Sequence, residues 1–377
     1  MGQTIQMVDL KTQYHHIKNE IDQAVINCIS STAFINGPSV KEFQNGLENY
    51  LGIKHVIPCA NGTDSLQIAM MALGLQHGDE IICPAFTYVA TAEVIGLLGF
   101  IPVMVEVDEN TFNITAENIE KAITSKTRAI VPVHLYGQSC DMEPIIKLAE
   151  KYNLFVIEDN AQAIGASYTF SDGRVAKTGT IGHIGSTSFF PSKNLGCYGD
   201  GGALMTNDEE LAQKMRMIAN HGQEKKYYHK VLGCNSRLDT LQATILNIKL
   251  KHLDNYSKSR NQVAAYYDSF FLNIEQIQIP TRKINSTHVF HQYTIKILNG
   301  KRDELQNFLI KKGIPSMIYY PLPLYKQEAF QKYVDIGFKL SITETLCESV
   351  LSLPMHTEME IETLEFICNE IKTFFNN

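Results

Sequence analysis

One lysine of this 377-residue chain stands in an unusual setting. Lys193 lies in Ser186-Thr-Ser-Phe-Phe-Pro-Ser-Lys193-Asn-Leu-Gly196, ahead of a loop dense in glycine (Gly196, Gly199, Gly201, Gly202). Most lysines are solvated surface charges. A lysine withdrawn from water has a lowered pKa, and its neutral amine can attack a carbonyl to form a Schiff base. The glycines do not follow the GxGxxG dinucleotide spacing, and no Gly-Lys-Ser/Thr of a P-loop occurs. They let the chain turn tightly and enter a strand at Ala203-Leu-Met-Thr206.

Two further segments carry chemistry. Leu154-Phe-Val-Ile-Glu158-Asp159-Asn-Ala-Gln162-Ala is an apolar strand ending in two acids. Ligands of α/β sheets sit at the carboxyl ends of strands. A carboxylate there can hold a pyridine nitrogen protonated and make the ring an electron sink. An N-cap for the next helix would use the same residues. Asn61-Gly62-Thr63-Asp64 opens a helix, where glycine and free N–H groups can receive a phosphate. A plain N-cap is the competing reading here too.

The elements that must position these residues are legible as a pattern. Through the first two-thirds, short apolar strands (55–59, 80–83, 103–107, 128–134, 154–158) alternate with amphipathic helices (to about 72, 90–98, 117–123, 142–152). Such alternation implies right-handed crossovers and an α/β fold with a mostly parallel sheet covered on both faces. From about 207 the pattern changes. Helices are expected over 208–220 and, as one long stretch, 238–271, then a strand over 289–297 and helices over 303–312 and 358–374. The expected division is a large domain at 1–250 and a smaller α+β domain at 251–377.

Composition narrows the class. Hydrophobic residues make up 44%, charged residues 19%, and the net charge is −7. A bulk nucleic-acid binder would be basic with clustered cations. The eight cysteines contain no CxxC pair, so they read as reduced thiols of a cytoplasmic protein with no metal site. The Met1-Gly2 start lacks the features of a signal peptide, and Gln6 stands where myristoylation needs Ser or Thr. No apolar run is long enough for a membrane span.

The order of phosphate turn, aromatic segment, strand-end Asp and lysine resembles the fold-type I pyridoxal-phosphate enzymes, specifically the nucleotide-sugar aminotransferases of the DegT/StrS type. The resemblance runs from Val8-Asp9-Leu10 and Phe34-Ile-Asn-Gly-Pro38 to Leu353-Pro-Met-His356. It implies a seven-stranded large-domain sheet and pyridoxal 5′-phosphate as cofactor. It implies that Lys193 holds the cofactor covalently and later shuttles the proton, and that Asp159 pairs with the pyridinium nitrogen. Gln162 would bond the ring hydroxyl. Gly62, Thr63 and Ser188 would hold the phosphate, and Tyr88 would stack on the ring. Asn235 would reach the phosphate of a neighbouring subunit, making an obligate homodimer with shared sites. An N-cap of the long helix is the simpler role for Asn235.

Within that family, Ala85-Phe-Thr-Tyr-Val-Ala-Thr-Ala-Glu93, His221-Gly-Gln223, Asn235-Ser-Arg-Leu-Asp239 and Tyr319-Tyr-Pro-Leu-Pro-Leu324 are similar to one subgroup. Its members aminate C3 of UDP-2-acetamido-2-deoxy-3-oxo-glucuronate, with L-glutamate as donor, for surface polysaccharide such as O-antigen. A uronate carboxylate calls for a guanidinium. Arg237 is the candidate, with Tyr319 and Tyr320 nearby; a helix-end ion pair is its ordinary alternative. Where the subgroup often carries His, this chain has Tyr319, which brings no positive charge. Amination of a dTDP-3-oxo-6-deoxyhexose therefore stays open. So does a non-catalytic regulatory protein on this scaffold, whereas a sugar dehydratase of the same fold would carry His at the position of Lys193.

Overall fold

A computed structural model describes residues 5–335 and 337–376, so the Met1-Gly2 start lies outside the described residues. Two helices come first, α1 (Leu10–Ser31) and α2 (Pro38–Leu51). Neither was apparent from the strand–helix alternation, yet both carry ordinary start signals. Asp9 Oδ1 accepts from Thr12 N at 2.9 Å, and Pro38 opens α2 behind Gly37.

Strand and helix then alternate: β1 (His55–Cys59), α3 (Gly62–Ala72), β2 (Glu80–Pro84), α4 (Ala90–Leu97), β3 (Ile101–Val105), α5 (Ala116–Lys121), β4 (Thr127–Ile130), α6 (Met142–Tyr152) and β5 (Phe155–Asp159). A small hairpin, β6 (Ser167–Thr169) and β7 (Val175–Lys177), precedes β8 (Ile184–Ser188), β9 (Gly202–Thr206) and α7 (Glu209–Ala219). Seven strands form one sheet in the order β1-β9-β8-β5-β4-β2-β3. β8, β5, β4, β2 and β3 run parallel, while β9 is antiparallel to both β1 and β8.

Alternating side chains split the core into two layers. Ile81 and Cys83 of β2 pack with Leu66 and Met70 of α3, Val94 of α4 and Met215 of α7. Ile82, between them, packs on the other face with Ile119 of α5 and Ile145 and Leu148 of α6. Both faces are covered, as strands apolar on both sides require.

The same alternation separates the two acids at the end of β5. Glu158 is fully buried. Its carboxylate accepts from the N–H groups of Gly179 (2.9 Å), Ile181 (2.6 Å) and Gly182 (2.7 Å), and lies 2.9 Å from His134 Nε2. Cys140 N donates to His134 Nδ1 at 3.0 Å, so the imidazole proton is on Nε2 and points at Glu158. Glu158 thus pins the turn before β8 to β5, and Asp159 is left for the other side.

Beyond α7 a short hairpin, β10 (Gln223–Lys225) and β11 (Tyr228–His229), leads to α8 (Thr240–Leu250) and α9 (Leu253–Phe271). The single helix expected over 238–271 is therefore two. Lys251 N and His252 N bond three residues back, to Ile248 O and Lys249 O, which tightens the last turn of α8 and ends it. α8 buries Ile245 and Ile248 against α1, whereas α9 buries Val263, Tyr267 and Phe271 against a second sheet. The apolar spacing continues across the break, so sequence period alone did not reveal it. The second sheet is antiparallel, β12 (Ile277–Gln278), β13 (Tyr293–Ile297) and β14 (Val350–Leu353), covered by α10 (Arg302–Lys311) and α12 (Ile361–Asn376), with α11 (Ser341–Ser349) alongside. β13 begins at Tyr293, later than expected, because Phe290 has φ 44° and Val289 N bonds Gly137 O instead of a strand partner. All eight cysteines are free, and no helix of the described residues is long and apolar enough to cross a membrane.

Removing the Glu158 carboxylate strands three buried N–H groups and a histidine. Glu158→Ala is expected to lower the unfolding free energy by about 3–5 kcal/mol in urea denaturation. The exposed Glu117→Ala, which loses only a helix-surface pair with Lys121, should change it little.

Candidate active site

The end of β8 and the start of α3 meet where the sequence placed its phosphate turn. Asn61 caps α3, accepting from Asp64 N at 2.8 Å. Gly62 and Thr63 follow as the first two helical residues, whose N–H groups have no partner within the helix. A Cβ on Gly62 would stand 2.7 Å from the Cβ of Ser188, so only glycine lets the turn lie this close to β8. The Ser65 and Ser186 hydroxyls bond each other one layer beneath. Gly62, Thr63 and Ser188 therefore form a cradle of free N–H groups and a hydroxyl at a helix N-terminus, the donor set that binds phosphate.

β8 then runs into the lysine loop. Ser188 Oγ accepts from Phe190 N at 3.2 Å, and Lys193 N donates to Phe190 O at 2.8 Å. Phe189 is fully buried and packs edge-on to Phe43 at 5.2 Å, which anchors the loop. Burial pushes the Lys193 amine down to about 8, while the Asp159 carboxylate pulls the other way. An appreciable fraction is thus neutral and nucleophilic near neutral pH.

Asp159 is 6% exposed. Its Oδ2 accepts from Thr91 Oγ1 at 2.8 Å and its Oδ1 from Ala161 N at 3.1 Å. Both bonds fix the carboxyl group in place, with acceptor capacity left to face a cationic ring nitrogen. Gln162 Oε1 accepts from Tyr136 N at 2.7 Å, and its Nε2 donates to Tyr320 Oη at 3.1 Å. Tyr320 also packs on Tyr88, with ring centroids 6.4 Å apart, and edge-on to Phe86 at 6.1 Å. Burial and the nearby Asp159 push the Tyr320 phenol well above its usual range, so it stays a neutral donor. Tyr136 Oη donates to the carbonyl of Tyr319, and Leu324 N to Ala85 O at 3.0 Å. These bonds bring the tyrosine pair of the second sheet's region onto the end of β2. Tyr88 itself is 57% exposed, an aromatic face open above the site.

Asn235 and Arg237 stand apart. Their segment lies beside the N-terminus of α3, because Ser236 Oγ accepts from Ala60 N at 3.0 Å. Asn235 is exposed. It does not cap the following helix, since α8 begins at Thr240 behind Asp239. Arg237 forms no ion pair among the described residues, so the helix-end pair is not made. Thr91 and Tyr136 are the site residues that sequence reasoning missed. Thr91 lies one residue inside α4 and is buried, and no spacing in the sequence singled it out. Tyr136 sits in a turn with φ 57°, which no periodicity announces.

Tested against pyridoxal phosphate, these residues fit: a cradle that a single Cβ would fill, a lysine amine lowered to about 8, and a fixed carboxylate. A sequence model of the DegT/DnrJ/EryC1/StrS aminotransferase family matches residues 15–372. A Pseudomonas aeruginosa protein named UDP-2-acetamido-2-deoxy-3-oxo-D-glucuronate aminotransferase is 45% identical over 366 residues, 97% of this chain and 98% of that one. A Geobacillus stearothermophilus protein named pleiotropic regulatory protein is 44% identical over 99% of both chains. The crystal structure of S. venezuelae DesV in complex with a ketimine intermediate superposes with a TM-score of 0.95 at 35% identity, covering 100% of each chain.

The lysine's environment is testable without any ligand. Reductive methylation by formaldehyde, read by peptide mass spectrometry, should label Lys193 at a rate rising about tenfold per pH unit and levelling above about 8. Asp159→Asn removes the charge that favours the ammonium, so the levelling point should move down.

Proposed function

From the premise that the chain belongs to the DegT/DnrJ/EryC1/StrS aminotransferase family, and so is a sugar aminotransferase using pyridoxal phosphate, we propose that it transfers the amino group of L-glutamate to C3 of UDP-2-acetamido-2-deoxy-3-oxo-D-glucuronate. The observation that carries this reading is the 45% identity, along nearly the whole of both chains, to a protein named for that substrate. The unpaired Arg237 guanidinium supports it, since a uronate carboxylate would give it a bidentate partner. The product would be a 3-amino uronate for surface polysaccharide such as O-antigen.

The cofactor, when bound, supplies an electron sink that stabilises negative charge at the substrate carbon. The chain supplies the rest. Lys193 would hold the cofactor and, once released, carry the proton between the substrate carbon and the cofactor, as an amine lowered to about 8 can do in either direction. Asp159, fixed by Thr91 and Ala161 N, would keep the ring nitrogen protonated. The Gly62 and Thr63 N–H groups and the Ser188 hydroxyl would bind the phosphate. Tyr88 would cover one ring face, and Gln162, bridged to Tyr320, would orient the ring hydroxyl. Donor and acceptor use the same site in turn, so ping-pong kinetics are expected.

Asn235 and Arg237 would act across a homodimer. Both lack side-chain partners among the described residues of their own chain, and Asn235 is exposed. Arg237 of each protomer would then meet sugar in the other's site, beside Tyr319 and Tyr320. Burial raises the Tyr319 phenol above its usual range, so it would act as a hydrogen-bond donor rather than a charge.

The purified protein should absorb in the violet and bleach on adding glutamate; a regulatory protein without turnover would not bleach. Given both ketosugars, it should turn over the UDP-uronate faster than a dTDP-3-oxo-6-deoxyhexose; equal or faster turnover of the deoxyhexose would overturn the uronate assignment. Lys193→Ala should abolish turnover. Arg237→Gln should raise KM for the uronate roughly tenfold to a hundredfold with little change for the deoxyhexose.

A further inference from the structure

Tyr136 is a buried tyrosine bonded to both sides of the site. It lies between β4 and α6, is 2% exposed and sits in a turn at φ 57°. Its N–H, carbonyl and hydroxyl go to different segments. The N–H donates to Gln162 Oε1 at 2.7 Å. The carbonyl accepts from Gln292 N at 3.3 Å. The hydroxyl donates to the carbonyl of Tyr319. Burial pushes the phenol well above its usual range, so the hydroxyl keeps its proton and stays a donor. Among the described residues no hydrogen bond joins Tyr136 to Lys193, Asp159 or the cradle of Gly62, Thr63 and Ser188.

The bond to Tyr319 bears on Tyr320. The Tyr319 carbonyl belongs to the planar peptide that joins the two tyrosines. Holding it fixes the direction in which Tyr320 leaves the main chain. The rings give the same support. Tyr136 packs edge-on to Phe112 at 5.3 Å, Phe112 lies 6.2 Å from Phe86, and Phe86 packs edge-on to Tyr320 at 6.1 Å. At the far end Gln162 closes a ring of bonds back to Tyr136. Its Oε1 faces an N–H and must be the carbonyl oxygen, so its other atom is the amide nitrogen, which donates to Tyr320 Oη at 3.1 Å. Tyr320 Oη is therefore the acceptor in that bond. Its own O–H proton has no acceptor among the described residues and is left for a ligand.

We propose that Tyr136 is a positioning residue for the sugar: it holds Tyr320 so that the Tyr320 O–H donates to an oxygen of the ketosugar. The inference rests on the reading of Tyr320 as a neighbour of the sugar. The cofactor side does not depend on the Tyr136 hydroxyl, because Gln162 is held by the Tyr136 main-chain N–H. Tyr136 thus serves the half-reaction with ketosugar and leaves the half-reaction with glutamate alone.

Tyr136→Phe removes the hydroxyl and keeps both the ring against Phe112 and the N–H to Gln162. In the holoenzyme, the rate at which glutamate bleaches the violet absorbance should stay within about twofold. KM for whichever of the two ketosugars is turned over faster should rise about threefold to tenfold. Tyr320→Phe should raise the same KM, and the double variant should be no worse than the worse single one, since Tyr136 acts through the Tyr320 hydroxyl. A merely structural role would slow both half-reactions together. An unchanged sugar KM in Tyr136→Phe, an equal loss in the glutamate rate, or single effects that multiply in the double variant would overturn the proposal. Should Tyr136→Phe not fold, Phe112→Leu, which withdraws the ring that Tyr136 rests on, takes its place, and an unchanged sugar KM there is equally decisive. If Tyr320→Phe alone leaves the sugar KM unchanged, the reading of Tyr320 has failed and this proposal falls with it.

Discussion

Lys193 and Asp159 bring opposite charges to one partly dry place, and the surrounding chain keeps each in the state it needs. Burial lowers the amine to about 8 against the pull of the carboxylate. Thr91 and Ala161 N each donate to one oxygen of Asp159, so the acid is held in place by its own neighbours. Were the two to form a closed ion pair, the amine would be a poor nucleophile. Burial instead lowers the amine toward the range where a lysine can both give and take a proton.

The sheet supplies the geometry for this. β9 runs antiparallel between β1 and β8, so the chain leaves β8 at Ser188, makes the lysine loop, and returns at Gly202 on the same edge. That return brings the loop back against α3. A Cβ on Gly202 would lie 2.4 Å from Asn61 O, and one on Gly62 2.7 Å from Ser188. Two glycines, one on each side, are therefore the condition for the N-terminus of α3 and the ends of the lysine loop to lie this close together.

The region beyond α8 closes the site from the other side, and it does so with buried polar groups rather than apolar packing alone. Arg260 spends its hydrogen bonds on main-chain carbonyls of two separate segments, and Tyr136 ties the Tyr319–Tyr320 loop to Gln162. Buried donors of this kind fix one arrangement because any other leaves them unpaired. They accompany the loss of the expected strand at 289–292: with Phe290 at φ 44°, its carbonyl and that of His291 face Arg260.

What the sequence determined by itself was the set of local decisions. Strand–helix alternation specified a parallel, doubly covered sheet, and the caps at Asn61 and Asp208 specified where helices begin. The setting of Lys193 after Phe189-Phe190-Pro191 marked it as a lysine withdrawn from water. These depend on neighbours a few residues away, so they are written in the chain. Three matters were decided only by tertiary structure. Which of Glu158 and Asp159 faces the site depends on which side of β5 the His134 and Gly179 contacts lie. Whether 238–271 is one helix or two depends on the different surfaces that α8 and α9 cover. That residues 289–292, roughly a hundred residues further along the chain, lie beside the lysine loop depends on ties through Asn194, Arg260 and Tyr136. Each is a contact between segments far apart in sequence, and no local period or spacing encodes it.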